Sequence, residues 1–361
     1  MSTKNVKTVD KSHILLYTKL SEFFILRKGG VSLLHDEVLH VLEKRKGHIV
    51  TGGQLAKTLN VSRTAIWKSI NTLKDNGKEI VSVPNVGYKL LSNDDTLSKQ
   101  LIDMKLSTAF LGRSMELLST VNSTNQYLKE INVENIDNGY VVISDEQTSG
   151  RGRRSRTFIS NKGEGIYLSI LLKLNKTKLD IRLFTICAAV AVSKAIENIC
   201  NIRANIKWVN DIFCNDKKIC GILTEAIISG ELQELDTIII GIGINTGNVS
   251  VEIKELATSI QYETGLCGIR NDLIAEVLNQ FETVYFDYTE REKKKDIINY
   301  YESRLFIIGQ EICVIEQNNN YPVTVIGVDN DGALIVKNSI GETQNITTGE
   351  IKLNETRSKV K

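Results

Sequence analysis

The chain has 361 residues, an ordinary globular balance of 42% apolar and 24% charged residues, and a formal net charge of +2. That length exceeds what one hydrophobic core usually organises, so two or three domains are expected. The near-neutral balance excludes a protein that coats nucleic acid over its whole surface, leaving anion-binding faces local.

Residues 1–31 show no partner pattern and read as an amino-terminal extension. Their apolar pieces, "ILLY" and "FFIL", are interrupted by Lys19, Ser21 and Glu22, too short for a signal peptide or a membrane span. A cytoplasmic protein without membrane contact is expected. From Ser32, "SLLHDEVLHVLEKRKG" has a capping serine, leucines and valines at helical spacing and Gly47 as a stop. A short helix follows over Gln54–Leu59, then a turn at Asn60-Val61 and a second helix capped by Ser62 that runs through Leu73 and Lys74 to Asn76-Gly77. "EIVSV", Pro84-Asn85 and "GYKLL" make a hairpin. Helix, turn, capped helix and hairpin constitute a winged helix-turn-helix, and residues 36–91 carry nine Lys/Arg against five Asp/Glu, a local +4. In the second helix Ile66, Ile70 and Leu73 repeat as core positions. Ser62, Arg63 and Thr64 are placed for base or phosphate contacts and Lys68 for a phosphate, while Trp67 fits either core or groove.

Around "SNDDTLS" (92–98) the composition turns polar, marking a linker. Strand and helix then alternate. "GYVVISDE" and "GIYLSILLKL" read as strands, "LFTICAAVAVSKAIENIC" as a buried helix, and "NIKWV", "KICGILTEAIIS" and "DTIIIGIGINT" as further strands. A loop is expected between Asp211 and the strand carrying Gly221, and a long helix from Asp272. From Leu305, short strands with tight turns suit a small barrel. The six cysteines, Cys187, Cys200, Cys214, Cys220, Cys267 and Cys313, form no CxxC, and the four histidines lie elsewhere; reduced, mostly buried thiols are expected rather than a zinc site.

Residues 149–156, SGRGRRSR, put four arginines on a backbone with two glycines. Two arginines roughly 7 Å apart repel by about 2 kcal/mol at an effective dielectric near 20, and the glycines add freedom that folding must remove. Such a loop is expected to stay open until a polyanion closes it. Other polar positions are ambiguous alone: "NSTNQYL" (122–128) reads as a helix cap, Lys207 as a solvated surface lysine, and "GIGIN" falls short of a dinucleotide fingerprint, lacking the third glycine and the later acidic residue.

Taken in order, GRGRxxR, KWxND, KxxGILxE and GxGIN resemble the biotin protein ligase family, over about Asp36 to Leu353. With a winged helix in front, the chain is most similar to the bifunctional type, ligase and biotin operon repressor together. The resemblance implies an α+β multidomain fold: the winged helix-turn-helix (32–92), a central mixed sheet with helices related to class II synthetases (93–304), and a carboxy-terminal SH3-like β-barrel (305–361). It implies biotin, ATP and Mg²⁺ as substrates and activator, with no tightly bound prosthetic group. It also implies adenylation of biotin to biotinyl-5′-AMP, then transfer to a lysine of a biotin carboxyl carrier protein.

The family's biotin contacts map onto Ser123, Thr124, Asn125, Gln147, Arg151, Gly152, Arg153 and Lys207. The catalytic roles fall on Lys207, Arg151 and Arg153. Nucleotide contacts map onto Arg154, Arg156, Phe158, Asn210, Asp211, Gly221 and Asn245, with Asp211 either positioning Mg²⁺ or orienting Lys207. Ser155, Val209 and Phe158 depart from the family's usual glycine, proline and tryptophan without removing a charge the chemistry needs. Operator DNA and a ligand-promoted homodimer are the implied regulatory partners. The alternatives are a ligase with a non-functional winged helix, a biotin sensor without transfer, and a lipoate ligase on the same fold.

Overall fold

The computed structural model describes residues 33–45, 49–83, 86–90, 95–131, 135–174, 180–229, 234–316 and 319–353. The extension over 1–31, the Ser32 cap, the Gly47 stop, the Pro84-Asn85 turn and the first part of the linker lie outside them. The chain forms two compact units, Met1–Leu90 and Leu91–Lys361.

In the first unit α1 (Leu34–Glu43), α2 (Gly52–Leu59) and α3 (Arg63–Asp75) precede a hairpin of β1 (Ile80–Val83) and β2 (Gly87–Leu90). Helix α2 starts two residues before the sequence-predicted position because Thr51 and Gln54 form a reciprocal capping box, which carries the two glycines into the first turn. Ser62 Oγ accepts from Ala65 N at 3.1 Å and starts α3 as expected. Ile66, Ile70 and Leu73 close the small core with Leu39, Leu55 and Leu90. Trp67 is 56% exposed, so of its two sequence readings the core is excluded.

The second unit is built on a seven-stranded mixed sheet. Its strands are β3 (Met115–Leu118), β4 (Val141–Ser144), β5 (Gly165–Lys173), β6 (Asn205–Lys207), β7 (Asp211–Cys214), β8 (Lys217–Ser229) and β9 (Glu234–Asn245), in the order β3-β4-β5-β9-β8-β7-β6. Only β3 and β4 run parallel. The pattern gives no signal for β3 or the helix α4 (Lys99–Lys105), whereas the helical run that follows the expected NST cap is α5 (Thr124–Glu130), beginning at the threonine of that segment. The loop expected after Asp211 is instead β7. Ile212 and Cys214 alternate into the core, and Asn215 and Asp216, both at positive φ, turn the chain straight into β8.

Helix α6 (Ile181–Cys200) has the length and apolarity of a membrane span, yet 78% of that stretch is buried: it is the unit's core helix. It packs beside α8 (Arg270–Thr289), the long helix expected near Asp272; α7 (Ile260–Thr264) precedes that helix and α9 (Lys294–Arg304) follows it. A five-stranded antiparallel sheet completes the unit: β10 (Glu311–Glu316), β11 (Asn319–Val328), β12 (Leu334–Lys337), β13 (Thr343–Ile346) and β14 (Glu350–Leu353), ordered β13-β12-β11-β10-β14. Its inner residues Val323, Val325 and Leu334 share one core with Ile186 of α6 and Ile298 of α9.

The period of two along β9 decides what each face of the large sheet can hold. Ile238, Ile240, Ile242 and Ile244 enter the main core, while Ile239 joins Leu128 of α5, Val142 and Leu171 on the opposite face. Gly241 and Gly243 continue that second face, which therefore changes from apolar to bare backbone toward one end.

A buried arginine holds this end in place. Arg270, 3% exposed, donates to Asp145 Oδ1 at 2.7 Å, to the Gly165 carbonyl at 3.1 Å and to the Asp95 carbonyl at 2.6 Å. Removing one member of a buried charge cluster leaves the others uncompensated. Arg270→Met is therefore expected to lower unfolding free energy by about 3 kcal/mol, read as a lower urea midpoint with unchanged slope; an unchanged midpoint would contradict this role.

Candidate functional site

A cleft opens over the glycine end of the sheet face. Its floor follows from strand register. Gly243 sits opposite Tyr167 and Gly221, and Gly241 opposite Ser169 and Leu223. A Cβ on Gly243 would stand 2.6 Å from Phe158 Cε1, and one on Gly241 would collide with Asn125 Oδ1. The missing side chains are what let Phe158 and Asn125 lie against the sheet. Phe158 also meets Tyr167 edge-on, with ring centroids 6.4 Å apart.

The NST segment forms one wall. Although "NSTNQYL" alone reads as a cap, Ser123 makes no side-chain cap bond; the amide of Thr124 donates instead to Gln147 Oε1 at 2.9 Å. Thr124 Oγ1 accepts from Ser169 Oγ at 2.6 Å, and Ser169 is within 2.6 Å of Asn125 Oδ1. Asn125 Nδ2 donates to Glu225 Oε2 at 2.8 Å and to the Leu223 carbonyl at 3.3 Å, and Glu225 in turn pairs with Lys129 at 2.6 Å. Both amide hydrogens of Asn125 are thus used inside the chain. The chain Gln147–Thr124–Ser169–Asn125–Glu225 is a continuous network in which the single Ser169 hydrogen lies between two acceptors and each partner fixes the next.

The opposite wall is cationic. Arg151, Gly152 and Arg153 line the cleft with Asn210, Lys218 and Gly221. Arg153 Nη1 donates to Asn210 Oδ1 at 3.1 Å, and Asn210 Nδ2 donates to the Ile222 carbonyl at 2.8 Å. Burial pushes the Arg153 guanidinium below its ordinary value. The WVN corner is pinned on both sides: Trp208 Nε1 donates to the Gly332 carbonyl at 3.0 Å and Tyr301 to the Val209 carbonyl at 3.0 Å. The Trp208–Val209 peptide is cis.

Lys207 and Asp211 face each other across the β6–β7 turn. Lys207 is not part of the cleft lining; its ammonium lies 5.7 Å from the centre of the Phe213 ring, beside the charge cluster. Burial lowers its pKa, and the charges of Asp211 and Glu350 oppose that. Asp211 Oδ1 is 2.7 Å from Lys218 Nζ, an ion pair outside hydrogen-bond geometry.

Asn245 lies apart, its amide donating to the Thr258 carbonyl at 3.0 Å, and it lines a smaller cavity with Glu164, Tyr167 and Asn248. In the first unit Ser62, Arg63, Thr64 and Lys68 are all exposed, with the Arg63 guanidinium resting over Gly53.

Lys218, Ser169, Glu225 and Glu350 are site residues that the sequence reading left without a role. Lys218 and Glu225 had a signal, since they are the first and last letters of KxxGILxE. Ser169 had none: it is one polar residue in an apolar strand. The arginine segment also differs from expectation. It has a defined conformation, with Arg151 bridged to Thr157, and Gly152 N bonded to the Arg156 carbonyl at 2.7 Å.

Known proteins are similar to this chain in sequence and fold. Residues 117–245 match the Biotin/lipoate A/B protein ligase family, residues 307–353 the Biotin protein ligase C terminal domain, and residues 35–89 an HTH domain. The structure is similar to a biotin protein ligase from Aquifex aeolicus in complex with biotin and ATP, at TM-score 0.59 and 29% identity, covering 67% of this chain and 99% of that one. By sequence it is 32% identical over 326 residues to the "Bifunctional ligase/repressor BirA" of Bacillus spizizenii, covering 89% of this chain and 99% of that protein. The Escherichia coli protein of the same name is 29% identical, over 81% and 89%. The fold and site thus define a biotin protein ligase architecture with an HTH domain in front. The chain belongs to the bifunctional ligase/repressor BirA family.

The pairing of Lys207 with Asp211 is directly testable. Asp211→Asn removes a negative charge that favours the ammonium, so the Lys207 pKa is expected to fall further below its ordinary value. NMR titration of isotopically dimethylated lysines reads this; an unchanged or raised value would refute the coupling.

Proposed function

We propose that the chain activates biotin with ATP to biotinyl-5′-AMP, releasing pyrophosphate. It transfers the biotinyl group to one lysine of a biotin carboxyl carrier protein, and represses biotin genes by binding their operator DNA. The observation that carries this reading is the cleft itself. A bare-backbone floor, a fixed polar network on one wall and partly buried cations on the other suit a small acid joined to a phosphate, in a chain that spans nearly the full length of bifunctional ligase/repressors.

The parts take these roles. Gln147, Thr124 and Ser123 meet the ureido ring of biotin, while Asn125, held by Ser169 and Glu225, shapes the floor beneath it. Burying the four-carbon side chain contributes about 3 kcal/mol at roughly 0.8 per methylene, so selectivity rests on these polar partners, which an ill-matched ligand leaves unsatisfied. Arg151, Gly152 and Arg153 receive the carboxylate and the α-phosphate, and Lys207 stabilises the charge that develops between them. Arg154, Arg156, Asn210 and Gly221 border the nucleotide, Phe158 offers its face to the adenine, and Asn245 borders the nucleotide from outside the cleft. Bound with the triphosphate, Mg²⁺ would supply positive charge against the phosphates, with Asp211 the residue placed to hold it. Among the described residues no three His, Cys, Asp or Glu side chains gather as a metal site, whereas Asp211 presents a buried oxygen free of hydrogen bonds. That donor set fits an ion held mostly by phosphate oxygens.

We place the domain boundaries at 32–92, 93–304 and 305–361, after the extension over 1–31. Kinship of the central sheet to class II synthetases is supported by its single parallel pair. An SH3-like barrel is supported by five short antiparallel strands and the irregular pairing at Val325/Gly327. The regulatory form is a homodimer promoted by the adenylate, since one winged helix reads a single half-site; the protein acts in the cytoplasm.

Incubation with biotin, ATP, Mg²⁺ and a carrier domain is expected to add one biotinyl mass to the carrier, and Lys207→Ala to reduce kcat/KM by about 10²–10³-fold. Failure of the unaltered protein to transfer biotin would sink the ligase reading.

The two tryptophans separate the second activity optically. Trp208 is 4% exposed in the larger unit, whereas Trp67 stands on the exposed face of α3 with Arg63 and Lys68. Operator DNA is expected to quench the red-emitting component only. Lys68→Ala should lower the slope of log affinity against log salt by about one. An unaltered slope would remove Lys68 from the phosphate contacts.

A further inference from the structure

The arginine segment is closed by the chain's own carboxylate. Arg156 Nη2 lies 2.5 Å from Glu350 Oε1, and Arg154 Nη1 3.4 Å from Glu350 Oε2, so each oxygen takes one arginine. Two nearby carbonyls take further hydrogens, one just before β14 and one on β10: Arg153 Nη2 donates to Gly349 at 3.2 Å and Arg154 Nη2 to Ile315 at 3.3 Å. Glu350 is placed for this by register, because it starts β14 opposite Ile315 of β10, at the edge of the five-stranded sheet. Arg154 and Ser155 both adopt positive φ, at 54° and 58°, a conformation that side chains other than glycine adopt only when their surroundings hold them there.

We propose that Glu350 is a positioning residue for the ligase reaction: it neutralises Arg154 and Arg156, docks the SGRGRRSR segment on the carboxy-terminal sheet, and so pre-aims the arginines at incoming phosphates. The glutamate itself touches no reacting atom. Its effect is to remove the like-charge cost of closing the segment before ATP arrives, which makes the five-stranded sheet a working part of the ligand site. The kinetic half of this proposal rests on the ligase reading; the docking half does not.

Hydrogen exchange in the full-length protein separates the two. Glu350→Gln keeps the shape and removes the charge, and is expected to speed exchange of the amides over 150–157 about tenfold. Exchange in β10 to β13 should stay as before, the internal control for folding. Arg156→Gln should accelerate exchange in the same direction but by less, because Arg154 keeps its pair with Glu350, and the double variant should exceed Glu350→Gln by nothing, since the Arg156 contact is already lost there. In steady-state adenylation Glu350→Gln is expected to raise the KM for ATP several-fold with kcat nearly unchanged, and Glu350→Asp to recover part of the difference. Unchanged exchange over 150–157, or additive effects of the two substitutions, would overturn the docking. An unchanged KM would overturn the pre-aiming, and a lower one would make Glu350 a competitor of the phosphates instead. Absence of adenylation in the unaltered protein would overturn the ligase reading while leaving the exchange result to decide the docking.

Discussion

Arg153, Arg154, Arg156, Lys207 and Lys218 gather around two carboxylates, Asp211 and Glu350. Five positive charges against two negative leave +3 at one end of the sheet, in a chain whose whole formal charge is only +2. Such a concentration holds together only where anions of the chain, or of a ligand, stand among the cations. The rest of the unit is arranged to supply that setting. Asn210 takes Arg153, the Gly349 and Ile315 carbonyls take the segment's other hydrogens, and Tyr301, Gly332 and Ile222 fix the WVN corner from which Lys207 and Asp211 project. A reaction that brings a carboxylate up to a triphosphate would otherwise be opposed by its own charge, and here the counter-charge is assembled in advance.

The neutral half of the site depends on strand periodicity. On one face of β9 isoleucines at 238, 240, 242 and 244 build the core; on the other, Ile239 packs under α5 before the pattern gives way to Gly241 and Gly243. Because neighbouring strands are in register, the gap widens sideways to Gly221 on β8 and Ser169 on β5. A single sheet thus carries a hydrophobic core, an anchored helix and a ligand floor. What distinguishes them is only which residues a period of two presents.

Much of this was legible in sequence because local rules and global fold agree. The capping Ser62, the Asn-Gly stop, the apolar helix and the strand runs each carry their own signal, and the ordered motifs place Arg151, Arg153, Asn210 and Gly221 around one cleft. What escaped was decided by partners far away along the chain. Gln147 bonding the Thr124 amide, Ser169 bridging Thr124 and Asn125, and Glu350 pairing with arginines nearly two hundred residues earlier have no short-range pattern. The short strand β7 reads as a loop in sequence because four residues between turn-prone segments carry too little periodicity to separate the two. The arginine segment reads as open for a related reason: its repulsion is local and visible in sequence, and its compensation is neither.

The same reasoning explains a chemistry that uses no nucleophile of the protein. Burial pushes the Cys187 and Cys220 thiols up, and Cys200 to about 11, so these sulfurs stay protonated near neutrality and serve as core atoms. Cys267, the exposed one, is absent from the cleft lining. A mixed anhydride of biotin and AMP is already an activated acyl donor, and the attacking amine belongs to the carrier. What remains for the chain is to hold two anions together, shield their product from water and keep the cations from dispersing between turnovers. Each task is electrostatic or steric, and in the proposed function it falls on groups the fold holds fast: arginines docked on a sheet, a lysine at a pinned corner, and an asparagine that fits only because its neighbour is glycine.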